Sequence, residues 1–296
     1  MSPQLSLLPL GRQNFDQIRD DQTLYVDKTR FIPELRKHGK FIFCARPHGF
    51  GKSVTCSTLK SFYSGEKELF RGLAAEEAIN SPNFVARPII YLDMNLAAGS
   101  QTQEKLNSKL IAILNSNAKR HNVALKGNFP AGAFLSLLAD VYNKHSQTRI
   151  ALIIDDYDAP IVKLAHRDKI IFNQKLFQTT GTILERFYAQ IKPASQFLNF
   201  AFITGVTESS GTEILSGLNS LSDITHNTEL STIMGFTREE IENNFTKFID
   251  YADYKFQYGI NELLERLKGY YYGYSFDCLS GLYNPQDILN FFHDKE

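Results

Sequence analysis

Cysteine is scarce in this chain: Cys44, Cys56 and Cys278 are the three among 296 residues, and none stands at a C-x-x-C spacing. That excludes a disulfide framework and a cysteine zinc motif, and the odd count fits a reducing compartment. The seven histidines include no H-x-x-x-H pair, so a zinc site on a helix face is not expected. No apolar run approaches the ~20 residues that span a bilayer. The N-terminus lacks a basic stretch followed by a long apolar one, so a secretory signal is not expected either. A cytoplasmic protein with no membrane partner is the expectation, with export by a signal-independent route left open. Net charge is missing too, 32 Lys+Arg against 32 Asp+Glu. This argues against a whole-surface basic field for nucleic acid but is compatible with a local basic groove. Repeats, low-complexity tracts and linker-like stretches are also absent.

What is present is an ordinary globular balance, 43% hydrophobic and 22% charged residues. The length suits one large domain or two modest ones, with a core that needs no metal or disulfide staple. Short apolar runs alternate with longer helical patterns. Phe41-Ile42-Phe43-Cys44-Ala45, Pro88-Ile89-Ile90-Tyr91-Leu92, Ile150-Ala151-Leu152-Ile153-Ile154 and Phe200-Ala201-Phe202-Ile203-Thr204 each read as a strand covered on both faces, as in a parallel sheet. Leu106, Leu110, Ile113 and Leu114, then Phe134, Leu137, Leu138 and Val141, recur at helical spacing and predict a helix pair. Thr237-Arg238-Glu239-Glu240 has the capping pattern of a helix start, and another helix is predicted over 260–267. The expected fold is therefore α/β, a three-layer core with a mainly parallel sheet over residues 1–225, followed by a helical lid-like subdomain over 226–296.

The chemistry is concentrated at strand ends. Arg46-Pro47-His48-Gly49-Phe50-Gly51-Lys52-Ser53 follows the first strand and opens a helix. Except for Arg46 in the first glycine position, it fits G-x-x-x-x-G-K-[ST], the phosphate-binding loop of P-loop NTPases. Gly49 and Gly51 would let backbone N–H groups turn around an anion, and the helix N-terminus adds partial positive charge. Lys52 would reach the β- and γ-phosphates and Ser53 would ligate Mg²⁺. The nucleotide-contacting set is Arg46, His48, Gly49, Phe50, Gly51, Lys52, Ser53 and Val54, with His48 facing either phosphate or solvent. The third strand ends in Asp155-Asp156, a Walker B pattern. Asp155 would hold Mg²⁺ with Ser53, and Asp156 would polarise the attacking water. Thr204 either orients that water or hydrogen-bonds at a strand end. Asp93 could support the metal indirectly, and Phe15, Ile18 and Tyr25 could line an adenine pocket. Cys44 and Cys56 read as packing residues. The tyrosines of 270–274 suit either core packing or stacking on a base.

Taken in order, these residues resemble the bacterial AAA-ATPase-like family, whose members commonly carry a C-terminal restriction-endonuclease-like nuclease domain. The resemblance runs through Leu8-Pro9-Leu10-Gly11, Tyr25-Val26-Asp27-Lys28-Thr29, Phe50-Gly51-Lys52-Ser53, Tyr91-Leu92-Asp93, Ile154-Asp155-Asp156-Tyr157-Asp158, Thr204-Gly205-Val206-Thr207, Gly235-Phe236-Thr237 and Tyr283-Asn284-Pro285. It implies Mg²⁺-dependent binding of ATP and its hydrolysis, and it makes Arg46 a family feature. Where the family loop reads Arg-Pro-Arg-Arg-Phe-Gly-Lys-Ser, His48 and Gly49 replace two arginines. Asp156 stands where the family has glutamate, one methylene longer, and a ~1 Å misplacement of such a group can cost ~100-fold in rate. Glu208, in Glu208-Ser209-Ser210, reverses an expected positive charge. The chain stops at Glu296, where the nuclease domain would begin, so no nuclease activity is inferred. A weakly catalytic, nucleotide-gated interaction protein, such as a bacterial effector, and a DNA-directed ATPase regulator are the alternative functions. A protein partner or a second copy of the chain, with an arginine donated to the site, would fit the class.

Overall fold

A computed structural model describes residues 7–166, 173–208 and 213–293. The readings that fall on the first six residues, on Ser209 and Ser210, and on the chain end lie outside these. In chain order, the helices of the core are α1 Phe15–Asp20, α2 Phe31–Leu35, α3 Lys52–Ser64, α4 Glu76–Asn80, α5 Gln103–Arg120, α6 Pro130–Lys144, α7 Ala159–His166 and α8 Gln174–Tyr188. The strands are β1 Phe41–Ala45, β2 Ile89–Asp93, β3 Ile150–Asp155, β4 Leu198–Gly205 and β5 Leu221–Asp223, all parallel and arranged β2-β3-β4-β1-β5.

Period-two geometry explains why the strand sequences do not alternate in polarity. Successive side chains point to opposite faces, and both faces are covered. Ile150, Leu152 and Ile154 of β3 pack with Leu110 and Leu114 of α5, Leu137 and Leu138 of α6, and Phe187 of α8. Ala151 and Ile153 face the other way, into a cluster with Phe15 of α1, Ile32 of α2, and Cys56 and Leu59 of α3. Three layers result, with the helix that follows the glycine loop on one side and the predicted helix pair on the other.

Strand β5 is not anticipated in the sequence. It has three residues, none fully buried, and it pairs with β1 alone, so no apolar run marks it. Beyond it come α9 Arg238–Asn244, α10 Thr246–Phe256, α11 Ile260–Tyr271 and α12 Pro285–His293, with a small antiparallel pair, β6 Tyr272–Tyr274 and β7 Leu282–Tyr283. The capping box forms as predicted: the Thr237 hydroxyl accepts from the Glu240 N–H at 3.1 Å, and the Glu240 carboxylate accepts from the Thr237 N–H at 2.9 Å. The core of this helical part, built around Ile241, Phe245, Phe248 and Phe292, also takes in Leu8 and Val26 from the N-terminal segment. Among the described residues no helix is long and apolar enough to cross a membrane.

Candidate functional site

The glycine loop leaves the C-terminal end of β1 at the centre of the sheet, and α3 begins at Lys52. Gly51 caps that helix at φ 89° and Gly49 sits at φ 80°, a region that L side chains avoid. A Cβ on Gly49 would lie 2.6 Å from Asn284 Oδ1, so the position is closed to a side chain for steric reasons as well. Lys52 is 5% exposed, and its ammonium donates to the Arg46 and Pro47 carbonyls at 3.2 and 3.1 Å. The same Nζ lies 3.5 Å from Asp156 Oδ1.

The two acids end β3 beside this loop. The Tyr91 hydroxyl donates to Asp155 Oδ2 at 3.2 Å, while Oδ1 is buried without a hydrogen-bond partner. Burial above all, and then the neighbouring Asp156 charge, lift the Asp155 carboxyl to about 6. The nearby Ser53 hydroxyl acts in the opposite direction, favouring the charged form. Asp156 adopts φ 49°, rare for a non-glycine residue. Its Oδ2 accepts from Asn95 Nδ2 at 2.8 Å, and its Oδ1 has no hydrogen-bond partner. Asn95 is itself held, because its backbone N–H donates to Asp93 Oδ1 at 3.0 Å. Asp93 therefore acts two steps from the loop, through Asn95.

A cleft of about 290 Å³ opens over the loop. His48, Gly49, Phe50, Gly51, Lys52, Ser53, Val54 and Asp156 all border it. Its lining also takes in apolar side chains, among them Ile18 and Tyr25 from before the sheet and Ile233 and Leu289 from after it. Phe15 is not there; it lies in the core against Tyr25 and Phe70, at ring separations of 5.2 and 5.0 Å.

Other predicted residues are placed nearby but turned elsewhere. The Arg46 guanidinium is buried behind the loop, donating to the Ala45, Thr225 and Ser231 carbonyls at 2.8, 3.0 and 3.1 Å. It stacks 3.9 Å from the Phe276 ring, so the structure does not bring it to the cleft. Phe50 turns its ring onto Tyr274 at 4.7 Å, leaving its backbone at the loop. The Thr204 hydroxyl is fully buried and donates to the Cys44 carbonyl at 2.7 Å, tying β4 to β1. Glu208 pairs with His226 at 3.0 Å, on the surface. Tyr270 is exposed, whereas Tyr272 packs on Tyr283 and Tyr274 on Phe50, so this cluster contributes packing and no ring bordering the cleft.

Asn95, and several residues that the family resemblance names without a role, hold others in place. Asn95 and Tyr91 position the acids. Asp158, 1% exposed, accepts from the Val206 and Thr207 N–H groups at 3.1 and 2.6 Å and shapes the exit of β4. Asn284 donates to the His48 carbonyl at 3.0 Å. In Tyr25-Val26-Asp27-Lys28-Thr29, Asp27 accepts from the Ala74 N–H at 2.7 Å and Lys28 reaches Glu240 at 2.6 Å. For Asn95 the local signal is the Asp93-x-Asn95 turn; for the others it is their place in the segments that carry the resemblance.

A protein of Azotobacter chroococcum mcd 1, described as an uncharacterized protein in the vnfD 5' region, is 27% identical over 290 residues, 98% of this chain and 52% of its own length. The chain thus spans about half of that relative. No solved structure matches. A family model described as "Predicted AAA-ATPase" matches residues 9–215, a stretch that holds the glycine loop, both acids and four of the five parallel strands, and the chain belongs to that AAA-ATPase-like family.

Proposed function

We propose that the chain binds ATP together with Mg²⁺ and hydrolyses it. The observation that carries this reading is Asp155 Oδ1, a carboxylate oxygen buried without a hydrogen-bond partner beside Asp156, while Asp156 itself faces Lys52 at the glycine loop. A buried carboxylate left this way is costly unless a cation meets it. Among the described residues no three His, Cys, Asp or Glu side chains converge as a metal cage. Mg²⁺ needs none, since it is usually held by one or two carboxylates together with substrate phosphates and keeps several waters. Ser53 and Asp155 would hold the ion, which when bound neutralises charge on the β- and γ-phosphates.

The chain's own groups do the rest. Loop N–H groups and the N-terminus of α3 cradle the phosphates. Lys52 exchanges two loop carbonyls for phosphate oxygens and stabilises charge in a loose transition state. Asp156, oriented by Asn95, positions the attacking water and takes its proton. Thr204 acts at one remove by fixing β4 against β1 beside the acids. The base lodges in the cleft against Ile18, Tyr25 and Leu289. We place the protein in the cytoplasm, where ATP and Mg²⁺ are supplied.

A second reading is a nucleotide switch that turns over slowly and exposes a partner surface in one state. It is favoured by Asp156 being a short acid already engaged by Asn95 and facing Lys52. Phosphate release from Mg²⁺·ATP separates the two. Turnover in wild type that disappears in Lys52→Ala and falls at least ~100-fold in Asp156→Asn supports the ATPase. Binding without turnover leaves the switch.

A further inference from the structure

Three consecutive carbonyls of the phosphate loop are taken by donors from the C-terminal part of the chain. Asn284 Nδ2 donates to the His48 carbonyl at 3.0 Å, the Gln286 N–H to the Gly49 carbonyl at 3.2 Å, and the Gly235 N–H to the Phe50 carbonyl at 3.2 Å. Asn284 is 7% exposed, and its Oδ1 accepts from the Gln286 N–H at 3.0 Å, which fixes the orientation of the amide. The contact is close on both sides. A Cβ on Gly49 would meet Asn284 at 2.6 Å, and one on Gly235 would meet the Phe50 ring at 2.9 Å.

In a planar trans peptide the C=O and the following N–H point in opposite directions. Holding the His48 and Phe50 carbonyls toward the C-terminal segment therefore turns the Gly49 and Gly51 N–H groups away from it. Those two N–H groups have no acceptor among the described residues, and both glycines border the cleft. Glycine at φ 80° and 89° does not choose this conformation unaided, because without a Cβ it populates many others.

We propose that the C-terminal segment preorganises the phosphate loop through these carbonyls, with Asn284 as the positioning residue, so that phosphate binding and docking of residues 272–286 are thermodynamically linked. The proposal rests on the nucleotide reading above and adds a coupling to it. Asn284 touches no phosphate; it acts through the loop. Linkage is reciprocal: what the segment contributes to nucleotide affinity, nucleotide returns as tighter docking of the segment.

The test uses the whole chain, with N-methylanthraniloyl-ATP and Mg²⁺ as the probe, on wild type, Lys52→Ala, Asn284→Ala and the isosteric Asn284→Asp, which loses the donor. Both Asn284 variants are expected to raise Kd about fivefold or more, the low end of ordinary coupling between sites. Hydrogen exchange supplies an independent readout. Nucleotide should slow exchange across residues 272–283, none of which borders the cleft, in wild type and not in Asn284→Ala. Wild-type affinity in folded Asn284 variants overturns the coupling and leaves nucleotide binding intact. Unchanged exchange over 272–283 in nucleotide-bound wild type overturns it even if the variants fail to fold. Absence of probe binding to wild type removes the nucleotide reading, and the coupling with it.

Discussion

Asp155 shows how a single side chain records what the site is for. Burial pushes its carboxyl up to about 6 in the folded chain, against about 3.9 for an unfolded aspartate. Between those values the folded state binds more protons, so this group's contribution to stability falls as pH rises from about 4 to 6. At pH 7 it is a net cost on the order of 3 kcal/mol, and Asp155→Asn should remove it. In metal-free melts the variant is expected to be more stable than wild type at pH 7, with no gain at pH 4, and Mg²⁺·ATP should no longer stabilise it. Lys52 and Ser53 could be picked out because the chemistry dictates residue type and spacing within one short loop, and Asp155 because an acid closes an apolar strand. Arg46 was not, because its partners, the Thr225 and Ser231 carbonyls, come from distant segments; of the two readings open for Thr204, the strand-end hydrogen bond is the one that forms, to the Cys44 carbonyl.

At the scale of elements, the four long strands and the helix pair could be read directly, since burial on both faces leaves unbroken apolar runs. Strand β5 and the β6–β7 pair could not. Their residues are few and mostly half-buried or exposed, and their pairing depends on β1 and on each other rather than on local pattern. The exit of β4 is another case. Two backbone N–H groups there, of Val206 and Thr207, depend on the Asp158 carboxylate. Asp158→Ala leaves them unpaired, and urea unfolding should show a loss of about 1–3 kcal/mol. Asp158→Asn should recover part of it, because an amide oxygen can still accept.

Across the whole molecule, the N-terminal segment fastens the helical part to the sheet. Leu8 and Val26 enter the C-terminal core, and Lys28 joins Glu240 within the capping box of α9. Burial is the main force on the Lys28 ammonium, pushing it down to about 8, with the Glu240 carboxylate opposing. Removing the lysine strands a largely buried acid, although Arg30 lies 3.7 Å away as a partial substitute. Lys28→Ala should therefore cost about 1–3 kcal/mol, less than a fully buried pair would. If the expected boundary near residue 225 separated independent units, this change would leave melting of the sheet domain unaffected; the packing of Leu8 and Val26 predicts one shared transition.

The central claim is that the glycine loop and the paired acids form a nucleotide site. Titration calorimetry of Mg²⁺·ATP into wild type and Lys52→Ala tests it most directly. Saturable one-to-one binding in wild type, lost or weakened at least about tenfold in a folded Lys52→Ala, is the predicted result. No binding to wild type, or equal binding to both, would contradict it.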